Sequence, residues 1–181
     1  MYVAVMGYGV VGSGVATLLS KNHEHIVKKS LQSDMQLKYI LDRRTFPGDP
    51  CEHLLITDFS KIVEDDEVKI VVETMGGLHP AYEYVLASLK AGKNVVTSNK
   101  ELVAAKGYEL LELAKENNVN FLFEASVGGG IPIIRPLAAS LTGDVIEEIT
   151  GILNGTTNYM MTKMYNDNAD YDAVLKEAQA L

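Results

Sequence analysis

The sequence contains no tryptophan and only one cysteine, Cys51, among its 181 residues. A single cysteine cannot form an internal disulfide, so the composition excludes a disulfide framework and favours a reducing compartment, for which we expect the cytoplasm. Long apolar runs are also missing, because none approaches the roughly 18 residues of a membrane-spanning helix. Met1 leads directly into an apolar strand, and we therefore expect neither a signal peptide nor contact with a membrane.

Basic residues are in the minority. The chain has 16 lysines and arginines against 24 aspartates and glutamates, which gives a formal net charge of -8. This charge would repel a phosphate backbone, and the sequence has no basic stripe, so we expect no nucleic-acid partner. Hydrophobic residues at 47% and charged residues at 22% are instead typical of a globular protein with a buried core.

The most informative feature that is present is a glycine-rich turn between an apolar strand at residues 2–6 and a helical apolar pattern at residues 10–21. In a dinucleotide fold the first glycine permits the tight turn, the second lets the backbone approach a pyrophosphate, and the third lets the helix pack closely on the strand. The positive end of the helix then faces the phosphates. The residues that we expect to bind a dinucleotide here are Gly7, Gly9, Val10, Val11 and Gly12.

Predicted strands and helices alternate along the chain. Strands are predicted at residues 36–41, 69–73, 94–97 and 120–124, and helices at 25–31, 79–91 and 107–117. This order predicts an α/β fold with a Rossmann-like, doubly wound parallel sheet over residues 1–130. The glycine run at 128–130 and Pro132 mark the boundary to an incomplete α+β unit at 131–181. That unit is predicted to hold helices at 133–141, at 156–165 and from 171 onward, and one strand at 145–153.

Four more segments have the composition of a binding site, and three of them follow predicted strands at the sheet edge where such folds bind ligands. They read ETMGG at 73–77, TSNKEL at 97–102, EASVGGGIP at 124–132 and GILNGTTNY at 151–159. In this order and at these spacings, together with GYGVVGSGV, they resemble homoserine dehydrogenases over essentially the whole chain. The resemblance implies NAD(P)-dependent interconversion of L-homoserine and L-aspartate 4-semialdehyde, on the route to threonine, methionine and isoleucine.

Lys100 is the leading candidate for chemistry. The resemblance implies that it lies between nicotinamide and substrate, where a buried ammonium would hold the substrate oxygen, help to move its proton and stabilise alkoxide character. The alternative is a solvated surface lysine. The resemblance also implies dinucleotide contacts at Thr74, Gly76, Thr97, Ser98 and Lys100, and substrate contacts at Lys100, Gly155 and Thr156.

The segment that starts at Glu124 has two interpretations. In the family, a Glu-x-x-Val-x-Gly-x-Ile pattern holds a monovalent cation, usually sodium, through backbone carbonyl groups. The matching positions are Glu124, Val127, Gly129 and Ile131. Alternatively, Glu124 is a strand-end carboxylate that caps nearby backbone amides.

The end of the second strand bears on the choice of cofactor. Asp42 falls where a dinucleotide fold places the acid that meets the adenosine ribose of NAD. Arg43 and Arg44 are suited to the additional phosphate of NADP, although both could equally be solvated loop residues. The sequence leaves the choice between NAD and NADP open.

The other candidate nucleophiles and ligands carry less information. Cys51 has no adjacent base, so we interpret it as an incidental thiol and not as the nucleophile of an acyl-enzyme. His23, His25, His53 and His79 lack metal-ligand spacing, and no transition-metal site is expected.

The sequence departs from the family at its end. It stops at Leu181, before the stretch in which the family carries further substrate-binding and proton-transfer residues. We therefore expect a fragment that is inactive in isolation. The alternatives are a catalytically silent dinucleotide-binding module and another NAD(P)-dependent oxidoreductase acting on a small substrate. The family usually dimerises through the sheet of the substrate domain, so we expect a homodimer for the full-length protein.

Overall fold

A six-stranded parallel sheet forms the centre of the computed structural model, which describes residues 1–29 and 34–180. The spatial order is β3-β2-β1-β4-β5-β6, and each neighbouring pair is parallel. This confirms the predicted doubly wound fold, in which the order reverses beside β1 and opens a crevice for ligands. The strands are β1 (Tyr2–Met6), β2 (Gln36–Leu41), β3 (Leu55–Ile56), β4 (Val68–Glu73), β5 (Asn94–Thr97) and β6 (Phe121–Leu122).

Within residues 1–135, helices connect the strands and pack against the sheet. The buried core includes Met6 and Val71 from the strands and Leu89, Leu102 and Leu110 from the helices. Within the described residues, no helix has the length and apolar character needed to cross a membrane. The helices are α1 (Val10–Lys21), α2 (His23–Lys29), α3 (Ser60–Val63), α4 (Ala81–Lys90), α5 (Lys100–Glu116), α6 (Ile134–Ser140), α7 (Gly155–Asn166) and α8 (Tyr171–Ala180).

Several predicted boundaries were wrong. Helix α5 begins at Lys100 and not at residue 107, because the Asn99 side chain accepts a hydrogen bond from the Leu102 amide and caps the helix there. Only Phe121–Leu122 of the predicted strand at 120–124 pairs with β5, and a 3₁₀ turn follows at Glu124–Ser126. Residues 30 and 31 of the predicted helix at 25–31 lie outside the described residues. The short elements β3 and α3 were missed.

The strand predicted at residues 145–153 is wrong, since that segment contains neither helix nor strand. Its apolar residues stay exposed, including Val145, Ile149 and Ile152. A strand needs a neighbour for its backbone hydrogen bonds, and none of the described strands pairs with this segment. By internal contacts the chain forms two compact units, Met1–Arg135 and Pro136–Leu181. The domain limits 1–130 and 131–181 stay a prediction.

In the second unit, α7 and α8 pack on each other. The Lys163 ammonium forms an ion pair with Glu177 at 2.8 Å, and the Tyr159 hydroxyl donates to the same carboxylate at 2.6 Å. The Asn154 side chain caps α7 by accepting from the Thr157 amide at 2.9 Å. Gly155 and Thr156, the predicted substrate contacts, are therefore the first two residues of a capped helix.

Candidate functional site

The glycine-rich turn joins β1 to α1, and its three glycines differ in their surroundings. A Cβ atom on Gly12 would lie 1.9 Å from the Gly7 carbonyl oxygen, and one on Gly7, where φ is +93°, would lie 2.9 Å from the Thr74 carbonyl oxygen. A Cβ atom on Gly9 would meet nothing within 4 Å. Packing inside the protein thus requires glycine at positions 7 and 12, whereas Gly9 borders the open space that a pyrophosphate would occupy. Val10 is 92% exposed beside it.

Thr74 connects this turn to the end of β4. Its amide donates to the Met6 carbonyl at 2.8 Å, and its hydroxyl lies 2.9 Å from the Gly7 carbonyl oxygen. The turn and the end of β4 together form one side of a cleft of about 600 Å³ at the carboxyl edge of the sheet. The cleft is lined by Gly7, Gly9, Leu41, Asp42, Arg43, Arg44, Thr57, Thr74, Met75, Gly76, His79, Pro80 and Tyr84.

Asp42 occupies the predicted place at the end of β2, and its carboxylate is fully engaged. Oδ1 accepts from the Arg44 amide at 2.9 Å and from Arg44 Nε at 3.0 Å. Oδ2 accepts from the Tyr8 amide at 2.7 Å and from a terminal nitrogen of Arg44 at 2.8 Å. The Arg44 guanidinium, and next to it the backbone amides, hold the pKa of Asp42 well below its usual range. All four acceptor positions of the carboxylate are therefore occupied within the protein.

Tyr8 is a functional candidate that the sequence interpretation missed. It stands between the first two glycines, its ring packs edge-to-face on Phe46 at 4.9 Å, and its hydroxyl donates to Asp49 at 2.9 Å. Burial, with the neighbouring Cys51 and Asp49 side chains, raises the pKa of the Tyr8 hydroxyl. Tyr8 thus fastens the segment after β2 to the glycine-rich turn. An aromatic residue inside a glycine-rich turn was the available signal.

We expected the Lys100 ammonium to be buried, but the structure places this residue at the surface. Its side chain is exposed at the first position of α5, and the described residues offer it no hydrogen bond or ion pair. It also lies outside the cleft lining, as do Thr97 and Ser98. A cation in the first turn faces the positive end of the helix dipole, a placement that does not favour stability. Such a departure from the stabilising arrangement is typical of a functional position.

Local backbone geometry accounts for three of the predicted cation-binding positions, Val127, Gly129 and Ile131. Val127 ends the turn that Glu124 begins, because its amide donates to the Glu124 carbonyl at 3.2 Å. Gly129 has φ of +60°, which favours glycine. A Cβ atom on Gly128 would lie 2.3 Å from the Ile131 carbonyl oxygen, so the chain folds closely back on itself here.

The Glu124 side chain caps the start of α6. Oε1 accepts from the amides of Ile133 and Ile134, and Oε2 accepts from the Arg135 amide at 2.8 Å. These amides lower the pKa of Glu124. The side chain therefore takes the capping role that we gave as the alternative, and of the Glu124 oxygens only the backbone carbonyl stays a candidate cation ligand beside those of Val127, Gly129 and Ile131.

Glu124→Gln is expected to destabilise the first unit in a pH-dependent manner. A carboxylate whose pKa is lowered on folding stabilises the fold above its unfolded pKa, and this contribution is lost as the pH falls through the folded pKa. The unfolding free energies of wild type and variant should thus differ most near neutral pH and converge below about pH 4.5, the ordinary pKa of a glutamate side chain. The measurement is urea denaturation from pH 7 to pH 3. Glu112→Gln, at an exposed position of α5, is the control, and a pH-independent difference would contradict the prediction.

The remaining polar residues do not build a metal centre. Within residues 1–29 and 34–180, no group of three or more histidine, cysteine, aspartate or glutamate side chains could hold a metal ion. Cys51 is a free cysteine whose amide donates to Asp49 at 2.8 Å. His79 lines the cleft and lies 2.6 Å from Glu83.

Sequence comparison identifies the family to which these features belong. The family model described as "Homoserine dehydrogenase, NAD binding domain" matches residues 7–124. The chain belongs to the homoserine dehydrogenase family. A second model of the same family, described as "Homoserine dehydrogenase", matches residues 132–181.

The sequences and structures of individual homoserine dehydrogenases are similar to this chain over nearly its whole length. The enzyme of Lactococcus lactis is 42% identical over 99% of this chain, and that of Bacillus subtilis is 39% identical over 99%. The chain spans 43% and 42% of these two proteins. The crystal structure of a homoserine dehydrogenase from Thiobacillus denitrificans superposes with a TM-score of 0.88 at 40% identity, covering 99% of this chain and 42% of the other.

A hyperthermophilic archaeal homoserine dehydrogenase in complex with NADPH is similar to this chain as well. It superposes with a TM-score of 0.79 at 28% identity, covering 99% of this chain and 60% of its own. The glycine-rich turn fits a nicotinamide dinucleotide. Gly9 faces open space in which a pyrophosphate could approach the backbone, while the close packing at Gly7 and Gly12 holds the start of α1 against β1. The predicted dinucleotide cofactor is therefore supported at the level of the class.

Proposed function

We propose that this chain carries the nicotinamide-dinucleotide site of an enzyme that interconverts L-homoserine and L-aspartate 4-semialdehyde. The observation that carries the proposal is the glycine-rich turn beside a cleft of about 600 Å³ at the switch point of the sheet. The family membership supports homoserine as the substrate. The reaction would serve the synthesis of threonine, methionine and isoleucine.

In this proposal, each part of the site has a distinct role. The backbone amides at the start of α1, at Val10, Val11 and Gly12, bind the pyrophosphate. The bound dinucleotide supplies the acceptor or donor of a hydride. The Lys100 ammonium holds the hydroxyl oxygen at C4 of homoserine, helps to move its proton and stabilises the charge that develops on that oxygen. Thr74, Gly76, Thr97 and Ser98 border the nicotinamide half, and Gly155 and Thr156 contact the substrate.

A cation, a dimer and a compartment complete the proposal. Sodium would be held by the backbone carbonyls of Glu124, Val127, Gly129 and Ile131. The open space beside Gly129, where an added Cβ atom would meet nothing within 4 Å, supports this. A midpoint of thermal unfolding that is equal in sodium chloride and in choline chloride would count against the cation.

The full-length protein would be a homodimer, supported by the exposed apolar side chains at 145–153, and a monomeric mass by light scattering would refute this. The single cysteine fits a cytoplasmic protein.

The deciding experiment is L-homoserine-dependent reduction of NAD and NADP, followed by the absorbance of the reduced nicotinamide. We expect turnover by the product of the intact gene and dinucleotide binding without turnover by the 181-residue chain. Turnover by the chain alone would show that Lys100 and its neighbours suffice. If the intact product binds NADPH but oxidises other small hydroxy acids and not homoserine, the substrate assignment is wrong.

Within the cofactor class, we propose that the site accepts NADP(H). Arg44 compensates the charge of Asp42, whose oxygens have no free acceptor position for ribose hydroxyl groups. Of the five N–H groups of the guanidinium, two bind Asp42 and three remain for a 2′-phosphate. The Arg44 side chain is 62% exposed and lies over the Phe46 ring at 5.1 Å, within reach of the cleft.

Arg44→Ala is expected to weaken NADPH binding about 10- to 100-fold, because charge-assisted hydrogen bonds are lost and the freed Asp42 repels the phosphate. NADH binding should change much less. Dissociation constants for both cofactors, measured by nicotinamide fluorescence, test this. Arg43→Ala tests the neighbouring arginine, which has no contact with Asp42 in the described structure. Equal losses for NADPH and NADH in Arg44→Ala, or in the double variant with Arg43→Ala, would refute a phosphate role.

A further inference from the structure

A second polar cluster, which shares only Thr97 with the residues of the proposed function, lies at the carboxyl ends of β4 and β5. We call Glu73, Met75, Gly77, Thr97 and Asn99 the Glu73 cluster. The Glu73 side chain is 0% exposed, and Thr97 and Asn99 are 1% and 6% exposed. A glutamate is almost never fully buried unless its oxygens are paired. Here Oε2 accepts from the Thr97 hydroxyl at 2.5 Å, and Oε1 accepts from the Met75 amide at 2.7 Å.

The hydrogen bonds continue from Thr97 into α5. The Thr97 hydroxyl oxygen accepts from the Asn99 amide at 3.0 Å, and Asn99 Nδ2 donates to the Gly77 carbonyl at 2.7 Å. Asn99 Oδ1 also accepts from the Leu102 amide at 3.1 Å, which caps the helix that begins with Lys100. One buried carboxyl group thus fastens the loop after β4 to the loop after β5 and to the start of α5.

The strand order locates this cluster relative to the ligand, given the proposed function. Asp42 directly follows β2, and the glycine-rich turn follows β1, so the adenosine half lies on the β2 side of the switch point. The nicotinamide half must then extend toward β4 and β5, over the loops that Glu73 joins. We propose that Glu73 is a positioning residue. It holds these two loops and the start of α5 in the relative positions that the nicotinamide half requires.

The chemistry of the cluster requires a carboxyl group. Both oxygens of Glu73 accept, one from an amide and one from a hydroxyl. A glutamine at this position would offer one acceptor oxygen and one donor nitrogen. Either the Met75 amide or the Thr97 hydroxyl would then lose its acceptor, and a buried unpaired donor carries a large penalty. The two loops would separate to relieve it, while the adenosine side of the site would keep its geometry.

The test compares NADH with ADP-ribose, which has no nicotinamide, in this 181-residue chain. NADH binding can be followed by direct excitation of the reduced nicotinamide. ADP-ribose binding is measured by calorimetry. In Glu73→Gln we expect NADH to bind about tenfold more weakly, as one unpaired buried donor predicts, and ADP-ribose to bind within about twofold of wild type.

Lys93→Met is the matched control. Lys93 is 2% exposed, and its ammonium donates to the carbonyls of Asp65 and Val68 at 2.7 and 3.0 Å. It is thus a buried ionisable residue of the same part of the sheet, but at the opposite, amino end of β4 and β5. Its replacement should lower thermal stability and leave the ratio of NADH to ADP-ribose affinity unchanged.

If Glu73→Gln does not fold, Asn99→Asp replaces it. This variant removes the donor to the Gly77 carbonyl and keeps an oxygen that can cap α5. The same selective loss of NADH affinity supports the proposal. Equal losses for NADH and ADP-ribose, or unchanged NADH affinity in a folded variant, overturn it. A wild-type chain that binds neither NADH nor NADPH contradicts the proposed function itself, which separates that failure from a failure of the Glu73 proposal.

Discussion

Replacing Gly12 by alanine is expected to abolish dinucleotide binding and to lower the free energy of unfolding by about 1–3 kcal/mol. The new Cβ atom would lie 1.9 Å from the Gly7 carbonyl oxygen and 2.9 Å from the Thr74 hydroxyl oxygen. The nearest obstacle is backbone and cannot rotate away, so α1 must move off β1. This displacement takes the amides at the start of α1 out of line with the pyrophosphate.

Gly14→Ala is the matched control on the same helix. A Cβ atom at Gly14 would meet nothing within 4 Å, and alanine is the better helix former by about 0.5–1 kcal/mol. We expect this variant to be more stable than wild type and to bind NADPH with unchanged affinity. Urea denaturation and NADPH fluorescence titration measure both effects. A Gly12→Ala protein that binds NADPH as wild type does would show that the turn is not the pyrophosphate site.

Lys100→Met is expected to lower kcat for L-homoserine oxidation by about 10²- to 10⁴-fold in the product of the intact gene. Methionine keeps the length of the side chain and removes the ammonium that would hold the substrate oxygen. NADPH affinity should stay within about threefold of wild type, because the pyrophosphate and adenosine contacts come from other residues. Stopped-flow and steady-state assays with both cofactors measure the loss.

The control is Lys115→Met in the last turn of the same helix. It removes an equal charge from the end of α5 that is remote from the proposed site, and its kcat should match that of wild type. If Lys100→Met retains kcat within about threefold of wild type, Lys100 is the solvated surface lysine of the alternative interpretation. Its exposure and its place at a helix N-terminus would then have no functional explanation.

The sequence predicted the regions of this fold in which a strong local signal and tertiary structure agree. The strand at Tyr2–Met6, the glycine-rich turn and Asp42 at the end of β2 were all located correctly. The start of α5 was placed too late, although Asn99 followed by KELVAAKG is a capping signal. The two-residue strand β3 has no periodicity to detect, and the strand at 145–153 was predicted from apolar residues that find no partner in the structure.

For the candidate site, the sequence predicted which segments of the backbone lie at the cleft, but not the contacts between their side chains. The hydrogen bonds from the Arg44 guanidinium to the Asp42 carboxylate depend on side-chain rotamers within a loop. The spacing of the residues gave no reason to assign these bonds to Arg44 and not to Arg43. The contact between Glu73 and Thr97 joins residues 24 positions apart, and it exists only because β4 and β5 are neighbours in the sheet. The sequence analysis gave Glu73 only as part of the ETMGG segment, whereas tertiary packing makes it one of the most buried of the described residues.

The position of β1 in the sheet has a consequence for the order in which the protein folds. Of the six strands of this sheet, the first to be synthesised is β1, an interior strand with β2 on one side and β4 on the other. The sheet cannot grow outward from one edge during synthesis, because its two halves meet only through residues 2–6. Nascent chains that end before Val68 can pair β1 on the β2 side only, and the crevice for the dinucleotide forms only after β4 has been added.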